Sequence, residues 1–414
     1  MPTERLYYAE PYLRDFTCQV LQCNPAARNS SPTPLNEVIT DVTAFYPNSG
    51  GQPSDRGTLG GADVVDVIER GDEIIHLTVA SVPPGPATGR VDIERRFDHM
   101  QQHTGQHILS GAFSSLFGLD TVGFHLGDET VTIDLNAPDV SYDQTAAAER
   151  LACEVIFQNR PINAAFWGRE AIDTSRLRKM PTRTENIRLV DITGFDLSPC
   201  GGTHTRATGE VGLIKITRTE RIRGTTRVEF VCGRRALADY RWKNDVVHVS
   251  SSLLSVHGRE LADAIDRLQT GLREARKEAE TAADLLRDVQ ASQMYDSAEP
   301  IGSLGIKLIV RAYDGEGIDH LKALAHRLCE RPLAVALLGS SSGASAHLVF
   351  EKSHDVPVDV SNLLRQVLPT VDGKGGGTQL IAQGGGRNPA ALPEALSSAA
   401  ALASRFLEEA GLHP

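Results

Sequence analysis

Hydrophobic and polar positions change period several times along this chain, and each change marks an element boundary. From residue 1 to about 90, runs such as FTCQVLQC, EVITDVTAFY, ADVVDVIE and EIIHLTVA are β-type and are separated by Gly, Pro and Asn turns. This pattern predicts a small antiparallel sheet or barrel-like module over residues 1–90, closed by VPPGPATG. From Arg95 to Phe117 the spacing turns helical. TVGFHLG and ETVTIDLN then read as strands joined by a GDE turn, a second helix spans about Ser141 to Gln158, and strands resume through TTRVEFVCG. Residues 91–250 are α+β in character.

Near Leu254 the period changes again. Apolar or small residues recur every seventh position at Leu254, Leu261, Leu268, Ala275, Ala282 and Val289, with a second line at Ile265, Leu272, Ala279 and Leu286. Residues 251–297 therefore read as a long helical arm, working as a spacer or as the coiled-coil seam of a homodimer. Residues 298–414 follow as a self-contained α/β domain. Its strand runs GIKLIVRAY, PLAVALLGSS and SAHLVFEK alternate with helices at Ile318 to Glu330 and Val360 to Leu368. A Gly-rich loop, DGKGGGTQLIAQGGG, and an Ala/Leu-rich helix complete it.

A length of 414 residues exceeds what one hydrophobic core supports, which predicts two or three domains. With 41% hydrophobic and 23% charged residues, and no apolar run approaching the roughly 20 residues of a membrane span, the expectation is a soluble protein. The amino terminus carries charge where a secretory signal would be apolar, so the cytoplasm is the expected compartment. Cys18, Cys23, Cys153, Cys200, Cys232 and Cys329 form no CxxC pair, which argues against a disulfide framework and a four-cysteine zinc ribbon. Net charge is −11, yet basic residues concentrate in two stretches. One holds Arg176, Arg178, Lys179, Arg183 and Arg188, and the other Lys215, Arg218, Arg221, Arg223, Arg227, Arg234 and Arg235. Each is either a solvated face or an RNA contact.

His103 and His107 stand four apart within the helical pattern, so both imidazoles share one face. Cys200 and His204, in SPCGGTH, repeat the spacing. Three imidazoles and one thiolate suit tetrahedral Zn²⁺. HTGQH lacks the glutamate of the metallopeptidase motif HExxH, and four protein ligands would close the shell of a structural ion.

MQQHTGQHILS and CGGTH, preceded by TAFYPNSGGQPSDRG, resemble the editing domain shared by alanyl-tRNA synthetase and the standalone AlaX-type editing proteins. GKGGGTQLIAQGGG resembles the carboxy-terminal domain of the same synthetase. The resemblance implies a trans-editing, zinc-dependent hydrolase acting on the ester that joins serine or glycine to tRNA for alanine, with His103, His107, Cys200 and His204 as the Zn²⁺ ligands. It also implies that Gln52 and Asp55 wall the pocket and that His125 orients water or contacts the terminal ribose. Thr104 and Gln106 are the polar candidates to sort serine, and Asp196, four residues before Cys200, is either an acceptor for a ligand imidazole or a helix-capping or solvent-exposed residue. Arg218, Arg223, Arg227 and Lys374 are assigned to tRNA, and no membrane partner is expected. The alternative is a non-enzymatic tRNA-binding protein with a structural zinc. A phosphodiesterase lacks its DHH triplet here, and strands fill the place where a synthetase would carry its aminoacylating domain.

Overall fold

Residue contacts divide the chain into two units, Met1–Gly258 and Arg259–Pro414. The computed structural model describes residues 2–26, 34–168, 172–181 and 187–410, so Arg183 of the first basic stretch lies outside the described residues. The architecture is mixed α+β, and no helix among the described residues is long and apolar enough to cross a membrane.

The first unit opens with β1 (Glu4–Arg5), β2 (Asp15–Pro25), β3 (Asn36–Thr40), β4 (Val42–Thr43), β5 (Gly57–Leu59), β6 (Ala62–Arg70), β7 (Glu73–Thr78) and β8 (Gly85–Val91). β1 and β4 pair in parallel, while the others pair in the closed order β2-β3-β7-β6-β5-β8. Alternation explains the ring. Phe16, Cys18 and Val20 turn inward from β2 while Asp15, Thr17 and Gln19 face out, and the inward set packs on Val38, Phe45, Leu59 and Ile74.

Helix α1 (Ile93–Phe117) starts at Asp92, whose side chain accepts from the N–H groups of Glu94 and Arg95, and it stops at Gly118 in the left-handed conformation. Every residue from His99 to Phe113 is buried. It is a central helix walled on all sides, so its polar residues must find partners inside the protein. Strands β9 (Thr121–Leu126) and β10 (Val131–Leu135) follow, then α2 (Tyr142–Phe157), opened by a capping box between Ser141 and Gln144. Strands β11 (Ile162–Trp167), β12 (Ile187–Ile192) and β13 (Asp196–Pro199) form a three-stranded sheet. Strands β14 (Ile214–Ile222) and β15 (Thr225–Cys232) join the earlier pair in the order β14-β15-β10-β9, and α3 (Gly233–Leu254) ends the unit. Ile108, Leu109 and Phe113 of α1 pack on Ile133, Val155, Val228 and Phe230.

The ring and α1 belong to one compact unit. A buried ion pair between Asp55 and Arg96 links them, and Arg96 also donates to Pro11 O at 2.7 Å and Ala44 O at 2.6 Å. The composition change near residue 90 is a change of element, not a gap between bodies.

The second unit contains α4 (Leu261–Ser297), β16 (Pro300–Ile301), β17 (Ile306–Asp314), α5 (Ile318–Cys329), β18 (Ala334–Ser342), β19 (Ser345–Lys352), α6 (Val360–Val367), β20 (Gly373–Gly377), β21 (Ile381–Gly386) and α7 (Leu392–Ala410). Its sheet runs β16-β17-β18-β19-β21-β20. On α4, Ile265, Leu268, Leu272, Leu286 and Val289 are exposed, whereas Ala291 joins the core under α5. The Gly-rich stretch, read from sequence as a loop, is an antiparallel hairpin. A Cβ on Gly375 would lie 2.4 Å from Gln383 O, so these glycines permit close backbone approach, and a run without side chains shows no period.

Candidate metal centre and its two cavities

The helical spacing on α1 sets His103 and His107 one turn apart, with ring centroids 5.5 Å apart. The segment after β13 carries Cys200 and His204 onto the same point. The ligand atoms of His103, His107, Cys200 and His204 all lie within 4.8 Å of one another. Cys200 Sγ is 3.3 Å from His103 Nε2 and 3.3 Å from His204 Nε2.

Each imidazole is held by its other nitrogen. His103 Nδ1 lies 2.8 Å from Gln52 Oε1, His107 Nδ1 3.3 Å from Asp196 Oδ2, and His204 Nδ1 3.2 Å from Thr104 Oγ1. That leaves the Nε2 atoms for an ion, the arrangement by which outer partners fix a ligand's tautomer. Asp196 is itself held by Arg178 at 2.6 Å and by the Ser198 hydroxyl at 2.9 Å. Burial would raise its carboxyl, but the hydrogen bond from His107 and the charge of Arg178 bring it down to about 2. Burial would likewise raise the Cys200 thiol, yet His103 and His204 hold it well below its ordinary value, favouring the ligating thiolate. Three imidazoles and one thiolate, buried and with their outer nitrogens engaged, fit a borderline-soft tetrahedral cation.

The segment carrying the second ligand pair is tightly held. Arg188 donates through Nη1 to Cys200 O at 2.9 Å and to Gly202 O at 2.8 Å, while Cys200 N donates back to Arg188 O at 3.1 Å. Gly202 lies against the ligand itself, since a Cβ there would sit 2.2 Å from His103 Cε1. Gly201 is open, with Tyr8 Oη at 4.0 Å as its nearest neighbour.

Two cavities border the cluster. The smaller, about 180 Å³, is lined by His103, His107, Cys200, Gln106, Phe124 and Arg178 among others. The larger, about 400 Å³, is lined by His204, Thr205, Arg206, Arg188 and the Tyr8-to-Arg14 segment.

The residues singled out by sequence are distributed unevenly around this centre. Gln52 and Thr104 are buried against ligand imidazoles. Gln106 faces the smaller cavity and donates to Ser110 Oγ at 2.9 Å. Asp55 is locked to Arg96 away from the cavity. His125 is exposed: the cavity wall ends with Thr121 to Phe124, and alternation along β9 turns His125 to the opposite face from Phe124, whose ring is 5.0 Å from that of His103. Arg227 pairs with Asp134 at 2.7 Å, and Arg218 with Glu220 at 3.9 Å. Arg223 is exposed in the β14–β15 turn, and Lys374 is exposed on β20 of the second unit. Sequence reasoning missed Phe124 and the securing role of Arg188. Phe124 sits beside His125 in a strand whose inward face only tertiary packing decides.

Residues 187–229 match the family described as threonyl and alanyl tRNA synthetase second additional domain. The chain is 30% identical to the alanyl-tRNA editing protein AlaX-L of Pyrococcus horikoshii, an alignment covering 92% of this chain and 94% of that protein. It is also 30% identical to the alanine–tRNA ligase of Pyrococcus furiosus over 92% of this chain but only 42% of the ligase. Among solved structures, the C-Ala domain of Aquifex aeolicus alanyl-tRNA synthetase is 27% identical, covering 27% of this chain and 98% of that chain with a TM-score of 0.24.

Proposed function

The chain belongs to the family of alanyl-tRNA editing proteins, and on that premise we propose that it is a trans-editing deacylase that hydrolyses serine or glycine from mischarged tRNA for alanine. The observation that carries this reading is the smaller cavity, which brings three of the four ligand side chains and the amide of Gln106 to one small polar space. An aminoacyl ester is already activated, so its hydrolysis requires a positioned water and a stabilised oxyanion, not a strong nucleophile.

His103, His107, Cys200 and His204 would hold Zn²⁺, which when bound supplies Lewis-acid polarisation or a rigid cross-link. The chain's own residues do the remaining work. Gln52, Asp196 and Thr104 hold the imidazoles in register. The Gln106 amide N–H is committed to Ser110, leaving its carbonyl oxygen free to accept from a serine hydroxyl. Phe124 closes one wall. A tRNA substrate supports the cytoplasm as the compartment, and the exposed apolar stripe on α4 supports pairing of two copies.

The non-enzymatic alternative draws support from the four-ligand set, which would leave no coordination place for water. Incubation with seryl-, glycyl- and alanyl-tRNA, all on tRNA for alanine and before and after chelation, separates the two readings. Release of serine or glycine but not alanine is expected, and retention of all three esters would leave only the binding reading.

A further inference from the structure

The smaller cavity is bounded on one side by a ring that is backed by main chain. The Phe124 ring lies 5.0 Å from that of His103, tilted by 31°. Behind it stands the turn that carries Gln52. A Cβ on Gly51 would lie 2.8 Å from Phe124 Cδ1 and 3.2 Å from Cε1, so the ring rests directly on the Gly51 backbone. Gly51 adopts φ +81°, and its carbonyl accepts from Leu126 N–H at 3.2 Å, which fixes the turn to β9 two residues beyond Phe124. Ser49 N–H to Gln52 O at 3.1 Å and Gln52 N–H to Ser49 O at 3.0 Å close the turn itself. Phe124 also packs against the core that α1 forms with β10 and β15.

A wall of this kind yields little. To widen the cavity the ring would have to press into the Gly51 backbone or into His103, whose Nδ1 is held by Gln52 of the same turn. Forcing extra atoms into such packing lowers affinity roughly 5- to 150-fold. Val122, which also lines the cavity, is 58% exposed and has no such backing. At about 180 Å³ the space is already below the roughly 300–1,000 Å³ of ordinary small-molecule sites.

A hydroxyl reader alone leaves one amino acid unsorted. The Gln106 oxygen accepts from a serine hydroxyl, but threonine carries the same hydroxyl and differs only by a methyl on Cβ. Separating the two requires a limit on size, and among the described residues lining the cavity Phe124 is the largest apolar side chain. We infer that Phe124 sets the size limit of the editing site, admitting the acyl groups of glycine and serine and rejecting that of threonine. The inference takes its substrate from the editing reading and its selectivity from the packing of one ring.

The test compares kcat/KM for seryl and threonyl esters of the same tRNA for alanine, with the full, metal-loaded chain. The wild type should cleave the seryl ester at least about tenfold faster than the threonyl ester, the usual discrimination against one extra carbon in a fitted pocket. Phe124→Ala should raise the threonyl rate at least about tenfold, with a much smaller effect on the seryl rate. Phe124→Leu, which keeps more of the apolar packing, should move the ratio in the same direction by less. An unfolded protein cannot gain activity on the larger ester, and metal content and unfolding midpoint identify any variant that has lost its fold. Equal cleavage of the two esters by the wild type would overturn the inference and needs no variant to show it. Folded variants that slow both esters alike would also overturn it, leaving Phe124 as a support for His103. Either result leaves the editing reading standing, because the wild type still cleaves the seryl ester. Retention of both esters by the wild type would instead overturn the editing reading, and this inference with it.

Discussion

Gln52 and His103 come from elements 51 residues apart, yet Gln52 Oε1 lies 2.8 Å from His103 Nδ1. The same amide accepts from Thr203 N–H at 3.2 Å and donates to Thr203 Oγ1 at 2.9 Å. One glutamine thus ties a ligand on α1 to the residue next to the ligand His204. Gln52→Ala should weaken metal affinity about 10- to 100-fold, the usual cost of losing an outer partner of a ligand histidine. A competition titration against a chromophoric chelator measures this, and unchanged affinity would reduce Gln52 to a structural contact.

The two glycines of CGGTH should differ sharply. A Cβ at Gly202 would press to 2.2 Å from His103 Cε1 and 3.0 Å from Gln52 Oε1, whereas at Gly201 nothing lies closer than Tyr8 Oη at 4.0 Å. Gly202→Ala should therefore displace His103 and lower bound metal per chain, while Gly201→Ala should retain it. Elemental analysis of the two purified variants decides the matter, and equal metal content would remove the steric account.

The four-residue cluster is legible in the sequence because a spacing of four on a helix puts His103 and His107 on one face, and Cys200 and His204 repeat the spacing in a second, non-helical segment. The helix and strand pattern of the second unit is legible for the same reason. What escapes the sequence depends on packing across elements. Nothing local tells that Asp55 faces Arg96 instead of the cavity, or that Phe124 and not His125 turns toward the ligands. Composition does not tell which basic residues are paired: Arg227 sits opposite Asp134 across β15 and β10, whereas Arg223 is exposed in the β14–β15 turn.

Arg96 and Asp55 are both fully buried, and Arg96 ties Pro11 and Ala44 to α1 as well. Arg96→Met would strand the carboxylate of Asp55 and leave two carbonyl groups without a donor. Breaking a buried pair from one side costs about 3–5 kcal/mol. Urea denaturation should show that loss for Arg96→Met and a smaller one for the double variant with Asp55→Leu, in which no buried charge remains. A double variant no more stable than the single would contradict the charge argument.

Acid should weaken the fold before its carboxylates titrate. His76 is buried, with Val38 O at 3.0 Å and Thr43 Oγ1 at 2.8 Å, and burial lowers it from 6.5 to about 4. His99 falls from 6.5 to about 4 through burial and the charge of Arg95. Both folded values lie below the unfolded one, so the unfolded chain binds protons first. The stability that depends on these two histidines being neutral is complete above pH 6.5 and declines toward pH 4, by about 3 kcal/mol for each. Metal-free protein unfolded in urea at stepped pH should show this slope, and His99→Leu should reduce the proton uptake by about one. A flat profile from pH 6.5 to 5 would contradict it.

Gln106 offers the sharpest test of amino-acid choice. Its amide N–H donates to Ser110 Oγ at 2.9 Å, and Ser110 Oγ also accepts from Thr121 at 2.6 Å, so the amide is oriented with its oxygen left for the cavity. A serine ester can donate its side-chain hydroxyl to that oxygen, and a glycine ester has no such hydroxyl. Gln106→Leu should therefore slow deacylation of seryl-tRNA while leaving glycyl-tRNA nearly unchanged, with a loss of about 1–2 kcal/mol in kcat/KM, near tenfold, for one uncharged hydrogen bond. Thr104→Val should behave differently, because Thr104 touches His204 and not the cavity wall: both esters should slow together with loss of metal affinity. Parallel kcat/KM measurements on the two esters distinguish the outcomes. Equal slowing of both by Gln106→Leu would move the selection of serine to another residue.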